Sequence, residues 1–510
     1  MYYRLRYHVY VGQDVVQAGK TGRVGDGIEP WFDRALLALM MQPEYRAWEE
    51  QVRLIGGCEH PIYLRGRTVI RDAGSGVVLS VFDSAALPYG RLMVPCGNRR
   101  SSRCGPCSRV YAGDTFQRIR AGLIGGKGVP EEVAGHPMVF ATLTAPSFGP
   151  VHTRVDRNGV VLPCRARRGG QVCEHGRVVG CGVRHGPDDP ALGTPLCPAC
   201  FDYTSAVLWN AHAGRLWHRF CDDLRRVTLP GASGLTKREF AKLVRVSFTK
   251  VAEYQRRGLV HFHAVVRLDG PDGAKSMPPV WATAELLSET IGQSARRVRV
   301  AAAHKGAQDL MWGAQFDVQP IVFGDGGEGL SAAQVAGYIA KYATKGAECV
   351  GTLDRPITCR KCGGTGLGGA CPSCEGTGLG VVIADLPIPS HARALVATAW
   401  HLGGLPEYED LRLRAWAHQC GFGGHFSTAS RLYSVTMTRL RNDRAAWQRA
   451  RAGLAELPDD VIVESEWEFA GSGYSAVEAE QAAAIREAIE FNRELARDAA
   501  DELARGRDAA

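Results

Sequence analysis

Leu259-Val260-His261-Phe262-His263-Ala264-Val265-Val266-Arg267-Leu268 decides how this 510-residue chain is read. Side chains alternate between the two faces of a strand. Val260, Phe262, Ala264, Val266 and Leu268 therefore point into one apolar layer, while His261, His263 and Arg267 point the other way. Residues 244–254 carry a matching pattern, with Arg245, Ser247, Thr249, Val251 and Glu253 on one face. Gln255-Arg256-Arg257-Gly258 has the composition of the turn between them. The pair predicts an antiparallel hairpin whose polar face brings Glu253 near His261 and His263. Two neutral imidazoles and a carboxylate suit Mg²⁺ or Mn²⁺ with positions left open, where such an ion polarises a phosphate oxygen. Taken alone, the His-x-His also fits plain surface histidines, so the segment downstream carries weight.

Ser331 with Gln334 three residues later is a capping-box signal, and the helix it opens is expected to end at Gly346. On that helix Tyr338, Lys341, Tyr342 and Lys345 fall at i, i+3, i+4 and i+7, a single stripe, with Val335, Ile339 and Ala343 beside it as an anchor. A phenol is a poor nucleophile near neutral pH unless its target is polarised or a cation stabilises its anion. Lysines one turn away supply the cation. Metal, tyrosine and lysine together are equipment for cutting a phosphodiester through a phosphotyrosine; the plain alternative is amphipathic packing with snorkelling lysines.

Sixteen cysteines, clustered in Cys-x-x-Cys pairs, favour zinc over disulfides in a reducing compartment. Cys359, Cys362, Cys371 and Cys374 belong to a short repeat, C-x-x-C-x-G-x-G, and make a closed four-thiolate zinc site. Cys104 and Cys107 need two partners, which a meander across residues 61–95 can supply as Cys58 and Cys96. A third zinc is expected from Cys164, Cys173, Cys181, Cys197 and Cys200, with His175 and His185 in reserve; Cys173, Cys181, Cys197 and Cys200 are the working set. Cys221, Cys349 and Cys420 read as packing residues.

The net charge of +8 is unevenly placed, since residues 476–510 carry nine acids and five arginines. The basic remainder is compatible with a phosphate-rich partner. No apolar run reaches the ~20 residues of a membrane span, and Met1-Tyr2-Tyr3-Arg4 does not open a signal peptide. A cytoplasmic protein without membrane contact is expected. No G-x-x-x-x-G-K-[ST] occurs, Gly125-Gly126-Lys127 being only a loose lookalike, so unwinding of duplex would fall to a separate helicase.

These residues resemble a known family. His261-Phe262-His263 matches the HUH motif of rolling-circle replication initiators. Tyr338-Ile339-Ala340-Lys341-Tyr342-Ala343-Thr344-Lys345 resembles their Y-x-x-K motif, in the doubled form of the gene A proteins of small single-stranded DNA phages. Phe140 to Thr144 resembles the family's first motif. Motif order, the cysteine-rich middle and the Ala/Gly/Arg bias most resemble RepSA-type initiators of actinobacterial plasmids and integrative elements, over roughly residues 55–440.

The resemblance implies an α+β fold with an HUH-type antiparallel sheet of about five strands, the histidines on a central one. Helices would flank the sheet, with zinc-binding cysteine-rich insertions and a helical C-terminus. It implies His261, His263 and Glu253 as ligands of a catalytic Mg²⁺ or Mn²⁺, while the cysteine clusters account for two to three structural Zn²⁺ ions. Tyr342 or Tyr338 would be the nucleophile, with Lys341 and Lys345 beside them; Tyr342 matches the position used by single-tyrosine relatives. The implied reaction nicks single-stranded or locally melted origin DNA, leaving a 5′-phosphotyrosine and a 3′-OH that primes rolling-circle replication. The implied partners are origin DNA, single-stranded or in a hairpin, and a host helicase and polymerase. A two-tyrosine HUH transposase shares the chemistry, and a non-catalytic zinc-stabilised DNA-binding protein is the alternative from another class.

The expected organisation is an N-terminal region (1–57), a zinc-stabilised β/α module (58–135), a nuclease core (136–350) with a Cys/His-rich insertion (160–203), a zinc-knuckle insert (351–385), a basic C-terminal region suited to DNA (386–455) and a charged helical tail (456–510).

Overall fold

Arg245–Tyr254 and Val260–Asp269 form an antiparallel hairpin in which Glu253 lies opposite His261 and Val251 opposite His263. The computed structural model describes residues 30–165, 170–301, 309–321, 331–366, 371–451 and 460–508. Residues 1–29, the larger part of the N-terminal region, lie outside the described residues, as do 166–169 and 367–370 of the two cysteine-rich insertions. The chain divides into two units, one of residues 112–437 and one that joins residues up to 111 with those from 438 onward.

In the unit of residues 112–437, Met138–Leu143 pairs with the free side of the histidine strand, and Phe316–Pro320 lies outside it. Ser427–Ala429 closes the other edge against Arg245–Tyr254. The histidine strand is therefore the middle of five antiparallel strands, which explains why it is buried along almost its whole length. Helices Tyr203–Asp223, Ala284–Arg297 and Ser390–Leu402 supply the core on one face, where Trp209, Trp217, Phe262, Leu287, Ile291 and Val396 are fully or nearly fully buried. Burial of each such side chain contributes about 1.5–3 kcal/mol relative to exposure. Asp202 starts the first of these helices by accepting a hydrogen bond from the Ser205 N–H.

The opposite face of the sheet carries a buried charge network. Arg267 and Asp269 are both inaccessible to solvent. Asp269 accepts hydrogen bonds from Arg267 at 2.6 and 3.0 Å and from the Ser247 hydroxyl at 2.6 Å, and pairs with His136 at 2.8 Å. The Arg267 guanidinium also donates to the carbonyl of Gly122 and lies 5.1 Å from the Tyr433 ring centroid. A buried ion pair needs such additional partners to offset its desolvation.

Three expectations about organisation change. Residues 390–429, placed by sequence in a separate basic region, belong to the same core as the histidine strand, through Leu395, Val396, Leu413 and Phe422, and supply the edge strand. Their apolar positions are masked in sequence by the arginines and glycines between them. The tyrosine helix ends at Ala343 rather than Gly346, because the Thr344 hydroxyl turns back to the Lys341 carbonyl at 2.9 Å and the residues that follow form a separate short turn. Lys345 consequently stands just beyond the helix. Gly125-Gly126-Lys127 forms a tight turn closed by the Gly126–Val129 bridge and makes no phosphate loop before a helix.

In the second unit the third change appears. Ile62–Asp72 pairs antiparallel with both Val78–Asp83 and Leu92–Val94, which lie one after the other along it instead of pairing in succession as the expected meander would, and also with Val461–Ser472, which lies inside the tail read as helical. Glu464, Glu466 and Glu468 alternate along Val461–Ser472 with the period of a strand and meet arginines of Ile62–Asp72, Arg71 reaching Glu464 at 3.1 Å and Arg67 reaching Glu466 at 3.7 Å. Gly66, at φ +145°, is required where the strands approach, since a Cβ there would fall 1.9 Å from the Glu466 carbonyl oxygen. Ala476–Asp508 is helical and buries Ala482 and Ile485 against Trp48 and Val52. Among the described residues no helix is long and apolar enough to cross a membrane.

Candidate active site and metal centres

The hairpin register places three potential ligands in a triangle. Oε2 of Glu253 is 3.0 Å from Nε2 of His261 and 2.9 Å from Nε2 of His263, and the two imidazole nitrogens are 3.1 Å apart. Hydrogen bonds need near-linear geometry and serve such a triangle poorly. One cation serves it well: three adjacent positions of an octahedron with bonds of about 2.1 Å are separated by about 3.0 Å. The three residues can thus hold a metal ion on one side and leave the remaining positions open.

The protonation states suit the same purpose. Burial alone would raise the Glu253 carboxyl, but the two imidazoles bonded to it outweigh burial and hold it at about 2. Burial pushes His263 down, which keeps its imidazole neutral. Thr142, opposite His263 in register, places its hydroxyl 3.0 Å from Nδ1. A metal ion on Nε2 would leave the ring proton on Nδ1, from which it would donate to Thr142 Oγ1, as metal-binding histidines do to their outer partners. Phe140 stacks on the His263 ring at 5.8 Å. Phe140 to Thr144 stands out in the sequence as a motif, but the role of Thr142 does not. Its alternation with Phe140 on one face of the strand was the available signal.

The turn that sets this register is held from several sides. Asn210, inside the helix Tyr203–Asp223, donates to the Gly258 carbonyl at 2.9 Å and accepts from the Val260 N–H at 3.1 Å. His391 contacts the Arg257 carbonyl at 3.1 Å, and the Arg257 guanidinium donates to the carbonyls of Ala145 and Pro146.

Helix Ala332–Ala343 packs on the strand that carries Glu253 and buries Val335, Ile339 and Ala343. Its capping box at Ser331 and Gln334 is formed in both directions. The phenol oxygen of Tyr338 lies 3.3 Å from Nε2 of His263. Tyr342 sits beside it, with ring centroids 4.6 Å apart. Nζ of Lys345 is 4.8 Å and Nζ of Lys341 5.8 Å from the Tyr342 ring centroid. Burial, followed by the charge of Glu253, pushes both phenols up, while the hydrogen bond between them favours the anion of Tyr342 over that of Tyr338.

The cysteines gather in groups with tetrahedral edges. Four sulfurs at about 2.3 Å from zinc are about 3.8 Å apart. Cys58 lies 3.8 Å from Cys104 and 3.6 Å from Cys107, and Cys96 lies 3.7 Å from Cys107. Cys359 is 3.9 Å from Cys371 and Cys362 is 3.6 Å from Cys374. Both four-thiolate groups can hold a metal ion and are consistent with structural zinc. The third expected set is corrected: Cys181 is not with Cys173, Cys197 and Cys200. It gathers with His152, Cys164 and His185, while His175 completes the other group. Spacing could not sort these ligands, because the groups are assembled across distant loops.

The family model for the replication initiator protein of pSAM2, RepSA, matches residues 44–487. A replication initiator protein of Streptomyces ambofaciens is 43% identical over 480 residues, covering 91% of this chain and 95% of that protein. No solved structure matches. With a family match across most of its length and a relative of this identity, the chain belongs to the RepSA family of replication initiator proteins.

Proposed function

We propose that this initiator nicks origin DNA itself, by an HUH-type tyrosine mechanism. The observation that supports the reading is the convergence of Glu253, His261, His263, Tyr338, Tyr342 and Lys345 from two strands and one helix end. Mg²⁺ or Mn²⁺ bound by Glu253, His261 and His263 would polarise the scissile phosphate.

Tyr342 is the first nucleophile. Its phenol oxygen attacks phosphorus as the phenolic proton passes to solvent, and the 3′-oxygen of the preceding nucleotide leaves and takes a proton from water, giving a free 3′-OH while the 5′-phosphate stays esterified to the tyrosine. Lys345, and more distantly Lys341, offset the negative charge of the attacking phenolate and of the phosphorane-like transition state. Tyr338 takes the second cleavage, which lets one site cut, hold and rejoin without releasing the first 5′ end. The freed 3′-OH primes a polymerase, and a host helicase opens the duplex.

The test is incubation of the full chain with a single-stranded origin oligonucleotide and Mn²⁺, followed by mapping of the covalent adduct by mass spectrometry. A metal-dependent adduct on Tyr342 supports the reading. Absence of any adduct on either tyrosine would end it.

A further inference from the structure

The insertion between Pro146 and Asp202 contains more metal-binding chemistry than the nuclease site uses. Along the chain its ligands fall in four pairs: His152 and Cys164, Cys173 and His175, Cys181 and His185, Cys197 and Cys200. The first and third pairs converge in one group, and the second and fourth in another. This is an interleaved arrangement, so neither group can form from one local loop.

Each group has the features of a zinc site. His185 places Nε2 3.5 Å from Cys181 Sγ, the edge expected for one nitrogen at about 2.1 Å and one sulfur at about 2.3 Å from the ion. Its Nδ1 is held by Asp189 at 2.6 Å, the carboxylate partner that orients ligating histidines. The Thr153 N–H donates to Cys164 Sγ at 3.2 Å. Among the described residues the buried Nδ1 of His152 finds no hydrogen-bond partner, a cost that a nearby cation or its bound ligands would relieve. In the other group His175 Nδ1 lies 3.2 Å from Cys200 Sγ. Around these residues the backbone is cross-linked by Cys164 N–H to Val183 O and Gly182 N–H to Cys164 O, each 2.8 Å, and by His152 N–H to Thr194 O at 2.9 Å. A segment so poor in buried apolar residues needs such staples to fold.

The module also touches the catalytic hairpin. Arg256, in the turn between Glu253 and His261, donates to the Pro187 carbonyl at 2.6 Å and the Asp189 carbonyl at 3.4 Å. Gly193, at φ +84°, lies so close that a Cβ would fall 2.5 Å from the Arg256 carbonyl carbon. Asp189 is thus shared: its side chain holds a zinc ligand and its carbonyl holds the turn.

We infer that the insertion is a two-zinc module with interleaved ligands, His152, Cys164, Cys181 and His185 on one ion and Cys173, His175, Cys197 and Cys200 on the other, and that it braces the turn that sets Glu253 opposite His261. With the two four-thiolate groups, the described residues then hold four zinc ions.

Native mass spectrometry of the full chain should count four zinc ions. Cadmium NMR of the exchanged wild-type protein should give four resonances, two from S₄ sites, one from an S₃N site and one from an S₂N₂ site. Three ions, or a third S₄ resonance from Cys173, Cys181, Cys197 and Cys200, overturns the ligand assignment without requiring any variant to fold. For the brace, Arg256→Ala should keep four ions yet speed hydrogen exchange at the Gln255 and Gly258 amides by roughly 10-fold, as loss of about 1.4 kcal/mol of local stability does. Unchanged exchange sinks the brace. This readout involves neither Mn²⁺ nor nicking, so its outcome is separate from that of the proposed nuclease activity.

Discussion

The phenol oxygen of Tyr338 lies 3.3 Å from Nε2 of His263, although 75 residues separate them. That contact joins the helix bearing both tyrosines to the strand bearing both histidines, and it requires the sheet order, the capped helix and the hairpin register together. From it the expected behaviour of each part follows.

The Glu253–His261–His263 triangle should bind Mn²⁺, and its outer partner should matter. His263→Ala should lose metal-dependent nicking while leaving the fold intact. Thr142→Val, which removes only the Nδ1 partner, should weaken Mn²⁺ binding by roughly 10–100-fold. Isothermal titration of the wild type and both variants checks this, and equal affinities across all three would remove the triangle from metal binding.

The two tyrosines should separate by step. Tyr342→Phe is expected to lose the initial nick and the covalent adduct. Tyr338→Phe should nick once and fail in the closing strand transfer. Lys345→Ala should slow the nick by roughly 10²–10³-fold, the usual cost of removing one fixed electrostatic partner, with the adduct still formed. Denaturing gels on labelled oligonucleotides read all three, and an adduct that persists in the Tyr338→Phe/Tyr342→Phe double variant would refute the assignment.

The Cys359–Cys374 knuckle should be structural, since four thiolates leave no open position. In Cys362→Ser the zinc content should fall by one per chain, and solubility should fall with it. Metal analysis of the purified variant gives the answer; an unchanged zinc content contradicts the knuckle.

The Arg267–Asp269 pair should stabilise the sheet in a pH-dependent way. Arg267→Met leaves Asp269 charged and buried and should cost about 3–5 kcal/mol in urea unfolding near pH 7. Burial alone would raise the Asp269 carboxyl, but His136, Arg267 and Ser247 together hold it below its ordinary value. A carboxyl lowered by folding adds stability that is complete above the unfolded-state value of about 3.9 and fades as pH falls through the folded-state value. Asp269→Asn should therefore be less acid-sensitive than the wild type at the low end of that window, and parallel unfolding curves from neutral to acidic pH would count against the pairing.

Much of the site was legible in the residues. Strand alternation put His261 and His263 on one face, the hairpin turn brought Glu253 to them, and helical spacing put Tyr338 and Tyr342 on one stripe; each of these is a local, periodic property. The two cysteine knuckles at Cys359–Cys374 and Cys104–Cys107 were readable for the same reason. Local patterns along the chain therefore define the chemistry-bearing elements. Tertiary structure alone decided which of them meet. Thr142 became a partner of His263 only through pairing of strands far apart in sequence. Val461–Ser472 became a strand only through backbone pairing with Ile62–Asp72, far away in sequence. The cysteines and histidines of the insertion gather into two interleaved groups across loops that backbone hydrogen bonds link. Periodicity is written along the chain, whereas long-range pairing depends on complementary surfaces that only the folded chain brings into contact.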